Sequence, residues 1–273
     1  MVTSMLINGQ AADMLSALDR GLSYGDGLFE TVRFVDGMAP LWPRHMSRLR
    51  EGCGRLCLPV PDVAVLQQEA ARVIQGMADA VVRITLTRGI GERGYTPPAN
   101  AVPTRIVAAF PAPPPAAQAK RDGVRTRVCA LRLAPQPQLA GIKHLNRLEQ
   151  VLARAEWNDP AIAEGLLCDV HGRLISATMA NLFAVIDGVP VTPALDHCGV
   201  AGVARAEVLA VLPQTRVCEL SLQACLGASE IFLSSSVRGI LPVQAVDDKI
   251  FAPGPVAHAL QRHWRELGFR QVG

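Results

Sequence analysis

A chain of 273 residues, 49% hydrophobic and 19% charged, is long enough for two modest cores and too apolar to stay disordered. Its formal net charge of +3, with dispersed arginines and no basic patch interleaved with aromatics, argues against a nucleic-acid partner. No apolar run approaches the roughly 20 residues of a membrane span, and the start lacks a signal-like core, so a cytoplasmic protein is expected.

In chain order, Met5 to Asn8 reads as a short strand. The glycine-punctuated run from Asp19 to Tyr24 passes into the alternating strand Gly27 to Phe34; Asp36-Gly37 signals a hairpin that returns through Ala39 to Trp42. Pro43 suits the first turn of a helix with Met46, Leu49, Cys53 and Leu56 on one face and Arg44, Arg48 and Arg55 off it. Asp62 caps a second helix through Val63, Leu66, Ala70 and Val73. Val82, Ile84 and Leu86 alternate with polar residues as a strand. That strand enters the loop Arg88 to Tyr95, whose arginines either hold an anionic substrate or face water. After a strand over 104–110, Pro111 to Pro115 makes a stiff linker. The predicted domains are therefore 1–112 and 121–273, joined by a linker over 113–120.

The second half predicts a strand near Arg125 to Leu133 and a helix along which the apolar residues Leu145, Leu148, Leu152 and Ala155 recur at helical spacing. A strand from Gly165 to Val170, a turn at His171-Gly172 and one extended return from Arg173 to Ile186 follow. Small residues from Cys198 to Ala204 lead into another helix, leaving backbone N–H groups open to an anion. A strand ending in Ser234-Ser235-Ser236 and a helix from Val256 to Leu267 close the chain. Seven scattered cysteines read as buried free thiols, with no set that completes a metal site.

Only three lysines occur, and Lys120 and Lys249 sit in polar surroundings. Lys143, in Gly141-Ile142-Lys143-His144-Leu145-Asn146-Arg147-Leu148-Glu149-Gln150, precedes the apolar helix. A partly desolvated amine among fixed arginine charges is driven toward the free base, the form that condenses with a carbonyl. A lysine at a helix end can equally run along the surface with its charge in water.

Three further segments stand in order with this one. Asp19-Arg20-Gly21-Leu22-Ser23-Tyr24-Gly25-Asp26-Gly27-Leu28-Phe29-Glu30-Thr31, Arg88-Gly89-x-Gly91-x-Arg93-Gly94-Tyr95 and His45-Met46-Ser47-Arg48-Leu49, with the Lys143 segment, resemble the fold-type IV pyridoxal-phosphate enzymes. That family includes D-amino-acid and branched-chain aminotransferases, and the chain most resembles its aminodeoxychorismate lyase branch. The resemblance covers nearly the whole chain. It implies an α/β protein of two domains, a homodimer, and pyridoxal 5'-phosphate as cofactor, with no metal, nucleic acid or membrane.

By the same resemblance, Lys143 is the Schiff-base lysine and Arg48 binds the phosphate. Gly202, Val203 and Ala204 form a backbone phosphate cup, Ser236 adds a hydroxyl with Ser235 beside it, and Asn181 joins the cofactor site. Arg93 and Tyr95 are the candidates for the substrate carboxylates. The implied reaction turns 4-amino-4-deoxychorismate into 4-aminobenzoate and pyruvate in folate biosynthesis. Alternatives are a D-amino-acid or branched-chain aminotransferase and a catalytically impaired binding protein.

One position departs from the family pattern. Ser176 stands five residues before Asn181, where the family places a glutamate that keeps the cofactor's pyridine nitrogen protonated. A transaminase needs that electron sink. A lyase whose electrons leave with the enolpyruvyl oxygen as the ring turns aromatic needs it less, so Ser176 is expected to favour elimination.

Overall fold

The computed structural model describes residues 2–114 and 117–269. The chain divides into two compact units, Met1–Pro113 with Ile142–Asn146, and Pro114–Gly141 with Arg147–Gly273. The sequence predicts a continuous second domain that carries Lys143; instead its segment groups with the first unit, where its backbone pairs with a strand. Of the predicted linker over 113–120, Pro115 and Ala116 lie outside the described residues and Ala117 opens a helix.

The first unit is built on an antiparallel sheet of β1 (Ser4–Ile7), β2 (Gln10–Ala11), β3 (Gly27–Val35), β4 (Asp79–Thr87) and β5 (Thr104–Pro111), in the order β2-β1-β5-β4-β3. Helices α1 (Arg20–Tyr24), α2 (Trp42–Arg55) and α3 (Val63–Val73) complete it. On β3, Leu28, Val32 and Phe34 alternate with Phe29, Thr31 and Arg33, so one face is apolar and packs with Met46, Leu49 and Cys53 of α2 in the core. Asp62 caps α3 by accepting from the Ala64 N–H at 2.8 Å. The predicted return strand from Ala39 to Trp42 is not formed. Asp36 and Gly37 turn the chain, Val35 and Met38 make a single bridge, and Pro40, which has no N–H, ends the ladder before Trp42 opens α2.

The second unit contains α4 (Ala117–Asp122), β6 (Val124–Leu133), α5 (Leu148–Arg154), β7 (Ile162–Asp169), β8 (Arg173–Ala177), β9 (Asn181–Ile186) and β10 (Val189–Pro193). It continues through α6 (Val203–Val211), β11 (Arg216–Cys218), β12 (Leu220–Ser221), α7 (Leu222–Leu226), β13 (Glu230–Ser235), β14 (Gly239–Val246), β15 (Lys249–Ile250) and α8 (Pro255–Glu266). The strands run β11-β10-β9-β13-β14-β6-β7-β8-β12, with β15 on β14; the β14–β6, β6–β7 and β10–β11 pairs are parallel. Phe183 on β9 and Phe232 on β13 are register partners that stack with ring centroids 5.0 Å apart at the core. Glu230 receives the Val256 and Ala257 N–H groups, fixing where α8 begins.

Two sequence expectations change here. The run from Arg173 to Ile186 is two strands, because Ala177 N bonds Ala180 O and closes a tight turn that separates Ser176 from Asn181. The helix after Lys143 starts only at Leu148, and its apolar stripe points outward: Leu148, Val151 and Leu152 are 75%, 60% and 61% exposed, and Ala155 is exposed too. Periodicity identified the stripe correctly but could not say what it packs against.

Candidate active site

Lys143 is held by main-chain bonds in the first unit. Its carbonyl accepts from Phe29 N at 3.0 Å, and Leu145 N donates to Gly27 O at 3.0 Å, so 143–145 runs as a short antiparallel partner of β3. Gly27 makes this approach possible: a Cβ there would sit 2.3 Å from Leu86 O and 2.9 Å from the Leu145 side chain. The Lys143 Nζ rests 4.2 Å from the Phe29 ring centroid, and the Arg83 guanidinium lies at the same distance from that ring. Arg83 bonds Thr85 Oγ1 at 3.3 Å and has no carboxylate partner among the described residues. Nothing in the sequence reading singled it out, because an arginine alternating on a strand looks like solvated face.

Strand alternation turns Glu30 away from Phe29 to the α2-facing side of β3, among Leu28, Val32 and Phe34. It is 1% exposed and accepts from Arg48 Nε at 2.8 Å, Arg48 Nη2 at 2.5 Å and His45 Nδ1 at 2.6 Å. Burial pushes the Glu30 carboxyl up, but the Arg48 charge and the His45 and Arg48 hydrogen bonds outweigh it and hold it at about 2. For His45, burial is the largest influence and lowers its pKa, aided by Arg48 and Lys143 and opposed by Glu30. Its Nδ1 faces the Glu30 carboxylate, and its Nε2 is buried without a hydrogen-bond partner among the described residues. Arg48 thus spends two of its donors on Glu30. Spacing places Glu30, His45 and Arg48 on facing elements, but only the sheet register shows that they meet.

The loop after β4 is tied to its surroundings by hydrogen bonds. Arg88 is buried, with Nε on Asp26 Oδ2 at 2.8 Å and its Nη atoms on Leu56 O at 2.8 Å and Cys57 O at 3.0 Å, so it does not face water. Arg20 also bonds Asp26 and reaches the Gly94 and Tyr95 carbonyls at 2.9 and 3.1 Å. Burial raises the Asp26 pKa, but hydrogen bonds and charge from Arg88 and Arg20 bring it below the ordinary value. Gly94 N donates to Tyr24 Oη at 3.0 Å, and the Tyr24 and Tyr95 rings lie 5.5 Å apart. Arg93 and Tyr95 are left exposed at the tip, Tyr95 by 86%.

In the second unit, Gly202 is the N-cap of α6 and has no side chain to satisfy the first-turn N–H groups of Val203 and Ala204. Asn181 spends its whole amide on the loop before α6: Oδ1 accepts from Gly202 N at 3.0 Å and Nδ2 donates to Val200 O at 2.9 Å. A Cβ at position 202 would lie 2.1 Å from that Oδ1, so only glycine fits. Gly141 is fastened to the same loop, donating to Gly199 O at 3.0 Å and accepting from Ala201 N at 2.9 Å, two residues before Lys143. Arg205, in the first turn of α6, is buried against neutral oxygens, Thr192 Oγ1 at 3.3 Å and Pro193 O at 3.1 Å; burial lowers its pKa. Open N–H groups, the helix dipole and a buried cation without a carboxylate suit a phosphate. Ser176 is buried on β8 opposite Leu167, and half-buried Ser236 follows β13.

Cys57 and Cys218 are exposed, contrary to the expectation of buried thiols, while the other five are buried and burial pushes Cys53 to about 11 and Cys225 to about 12. Among the described residues no group of His, Cys, Asp and Glu is placed to hold a metal ion, and no helix is long and apolar enough to cross a membrane.

Residues 27–246 match the family model of amino-transferase class IV. The chain is 35% identical over 263 residues to the aminodeoxychorismate lyase of Vibrio harveyi, covering 93% of this chain and 97% of that protein. The crystal structure of 4-amino-4-deoxychorismate lyase from Pseudomonas aeruginosa superposes with a TM-score of 0.92 at 45% identity, over 96% of this chain and 98% of that one. The branched-chain amino acid aminotransferase of Escherichia coli gives a TM-score of 0.85 at 26% identity, over 98% of this chain and 95% of that one.

Proposed function

Because the chain belongs to the amino-transferase class IV family, we propose that it is a pyridoxal-phosphate-dependent lyase converting 4-amino-4-deoxychorismate into 4-aminobenzoate and pyruvate, a step of folate biosynthesis. The observation that carries this reading is Lys143, an amine on a main-chain-anchored segment against Phe29, within a chain so similar to two such lyases. The fold is the α/β fold of fold-type IV enzymes.

When bound, the cofactor supplies an aldehyde that condenses with amines and a ring that draws electrons from the attached carbon. Lys143 provides the amine that anchors it and, once free, takes the proton from the substrate carbon that bears the amino group. As that C–H bond breaks, its electron pair makes the ring aromatic while the C–O bond to the enolpyruvyl group breaks. The departing enolate takes up one proton, matching the one that Lys143 removes, to become pyruvate, so no oxidant or reductant is required. When the cofactor is bound, the N–H groups of Val203 and Ala204 would hold its phosphate, with Ser236 and Arg48 as further donors, and Asn181 shapes that cup by fixing Gly202 and Val200. Arg83 is suited to a substrate carboxylate near Lys143, in addition to Arg93 and Tyr95. Ser176 gives the ring nitrogen a hydroxyl in place of a carboxylate, which suits elimination better than transamination.

A homodimer belongs to the same reading. Leu148, Val151 and Leu152 form an exposed i, i+3, i+4 stripe on α5, a face that a second copy would cover. A cytoplasmic location is part of it as well. Incubation with aminodeoxychorismate, following aminobenzoate fluorescence and pyruvate by a coupled assay, tests the function. Equimolar products support it; rapid amino transfer between amino acids and 2-oxo acids without aminobenzoate would favour the aminotransferase.

A further inference from the structure

We propose that Arg238 and Glu164 form a positioning clamp that fixes the two turns bearing the cofactor-contacting residues of the second unit, and so sets how tightly the phosphate-bearing cofactor is held. This rests on the reading above that Ser176, Asn181 and Ser236 serve pyridoxal phosphate.

Glu164 lies on β7 and is fully buried. Its Oε2 accepts from the Thr178 hydroxyl and, at 3.3 Å, from Met179 N, both in the turn between β8 and β9. Its Oε1 accepts from Arg238 Nη2, which comes from the turn between β13 and β14. These turns adjoin, because Asn181 at the start of β9 is the register partner of Ser234 near the end of β13. One carboxylate therefore ties the turn that separates Ser176 from Asn181 to the turn that holds Ser236. Within the second turn, Ser235 Oγ accepts from Val237 N and Arg238 N at 3.4 Å, so the Arg238 backbone is fastened as well as its head group. Asn181 carries the order onward to the α6 cup through Gly202 N and Val200 O.

Two physical effects follow from this placement. An apolar pair could fill the same space, but only directional donors and acceptors fix the orientation of both turns. Arg238 also neutralises Glu164, so that this buried carboxylate adds no uncompensated negative charge beside the two turns. Removing Arg238 alone would loosen one turn and expose the phosphate to a buried carboxylate.

The test is titration of the apo proteins with pyridoxal phosphate, reading visible absorbance and induced circular dichroism, for wild type, Arg238→Gln, Glu164→Gln and the double variant. Apo melting temperatures are taken in parallel. Each single variant is expected to bind about tenfold more weakly or worse, with a diminished induced band, and the double variant no worse than the weaker single. Arg238→Lys should recover most of the affinity. Unchanged affinity, or losses that simply add, would overturn the clamp. A lower apo melting temperature with wild-type affinity and band would also overturn it, by showing a purely structural pair. If a single variant does not fold, the double variant and Arg238→Lys decide on the same readouts. Wild-type protein that takes up no pyridoxal phosphate would defeat the functional reading itself, and the clamp with it.

Discussion

Glu30→Gln keeps the shape of a side chain at the centre of the first unit's polar cluster and removes its charge. The native carboxyl sits at about 2 rather than 4.5: burial opposes ionisation, but Arg48 and His45 more than compensate. With each tenfold change in proton affinity worth about 1.4 kcal/mol, the ionised form contributes roughly 3 kcal/mol. Because the folded pKa is depressed, this stability is fully present above pH 4.5 and is lost as the pH falls from there toward 2. Losing one partner of a buried pair gives an independent expectation of about 3–5 kcal/mol, of the same order. Urea unfolding of both proteins near neutral pH and at decreasing pH measures the difference. The variant should be less stable by about 3 kcal/mol near neutrality, and the two curves should converge in acid. A neutral-pH difference under about 0.5 kcal/mol, or parallel curves, would show that Glu30 is not held by its neighbours in this way.

Ser176→Glu should increase transamination with simple amino acids by about tenfold or more and slow aminobenzoate release, measured by paired assays on one preparation. Arg83→Gln should raise the KM for aminodeoxychorismate by about tenfold with a smaller change in kcat, as expected of a group that binds a carboxylate without moving a proton. Asn181→Ala removes the bonds to Gly202 N and Val200 O, and equilibrium dialysis should find pyridoxal phosphate held about tenfold more weakly. Leu148→Lys with Leu152→Lys places two charges on the exposed stripe of α5 and should shift sedimentation from dimer to monomer; an unchanged dimer would mean that the second copy docks elsewhere.

What could be read in the sequence was what local chemistry dictates. Asp62 announced α3 by its capping carboxylate, and the alternation of Val82, Ile84 and Leu86 announced β4. The small residues before Val203 announced an uncapped helix start. What could not be read depends on partners distant along the chain. Lys143 groups with the first unit because Gly27 and Phe29 offer it backbone bonds, and no periodicity encodes that pairing. The glycine-rich loop left open whether its arginines hold an anion or face water, and for Arg88 the water-facing reading fails because Asp26 and two carbonyls enclose it. No sequence pattern singles out Glu164, because its bonds to Thr178 and Arg238 exist only once the β8–β9 and β13–β14 turns come together. Leu148 and Leu152 announced a helical stripe, but spacing alone does not say whether such a stripe is buried or, as here, exposed.

Everything catalytic in this account depends on one amine, so the most direct measurement compares wild type with Lys143→Ala, each supplied with pyridoxal phosphate and aminodeoxychorismate, by aminobenzoate fluorescence. Wild-type protein should release aminobenzoate, and the variant should lose about a thousandfold or more of that rate while remaining folded by circular dichroism. A folded Lys143→Ala protein that still makes aminobenzoate at a rate near wild type would contradict the assignment.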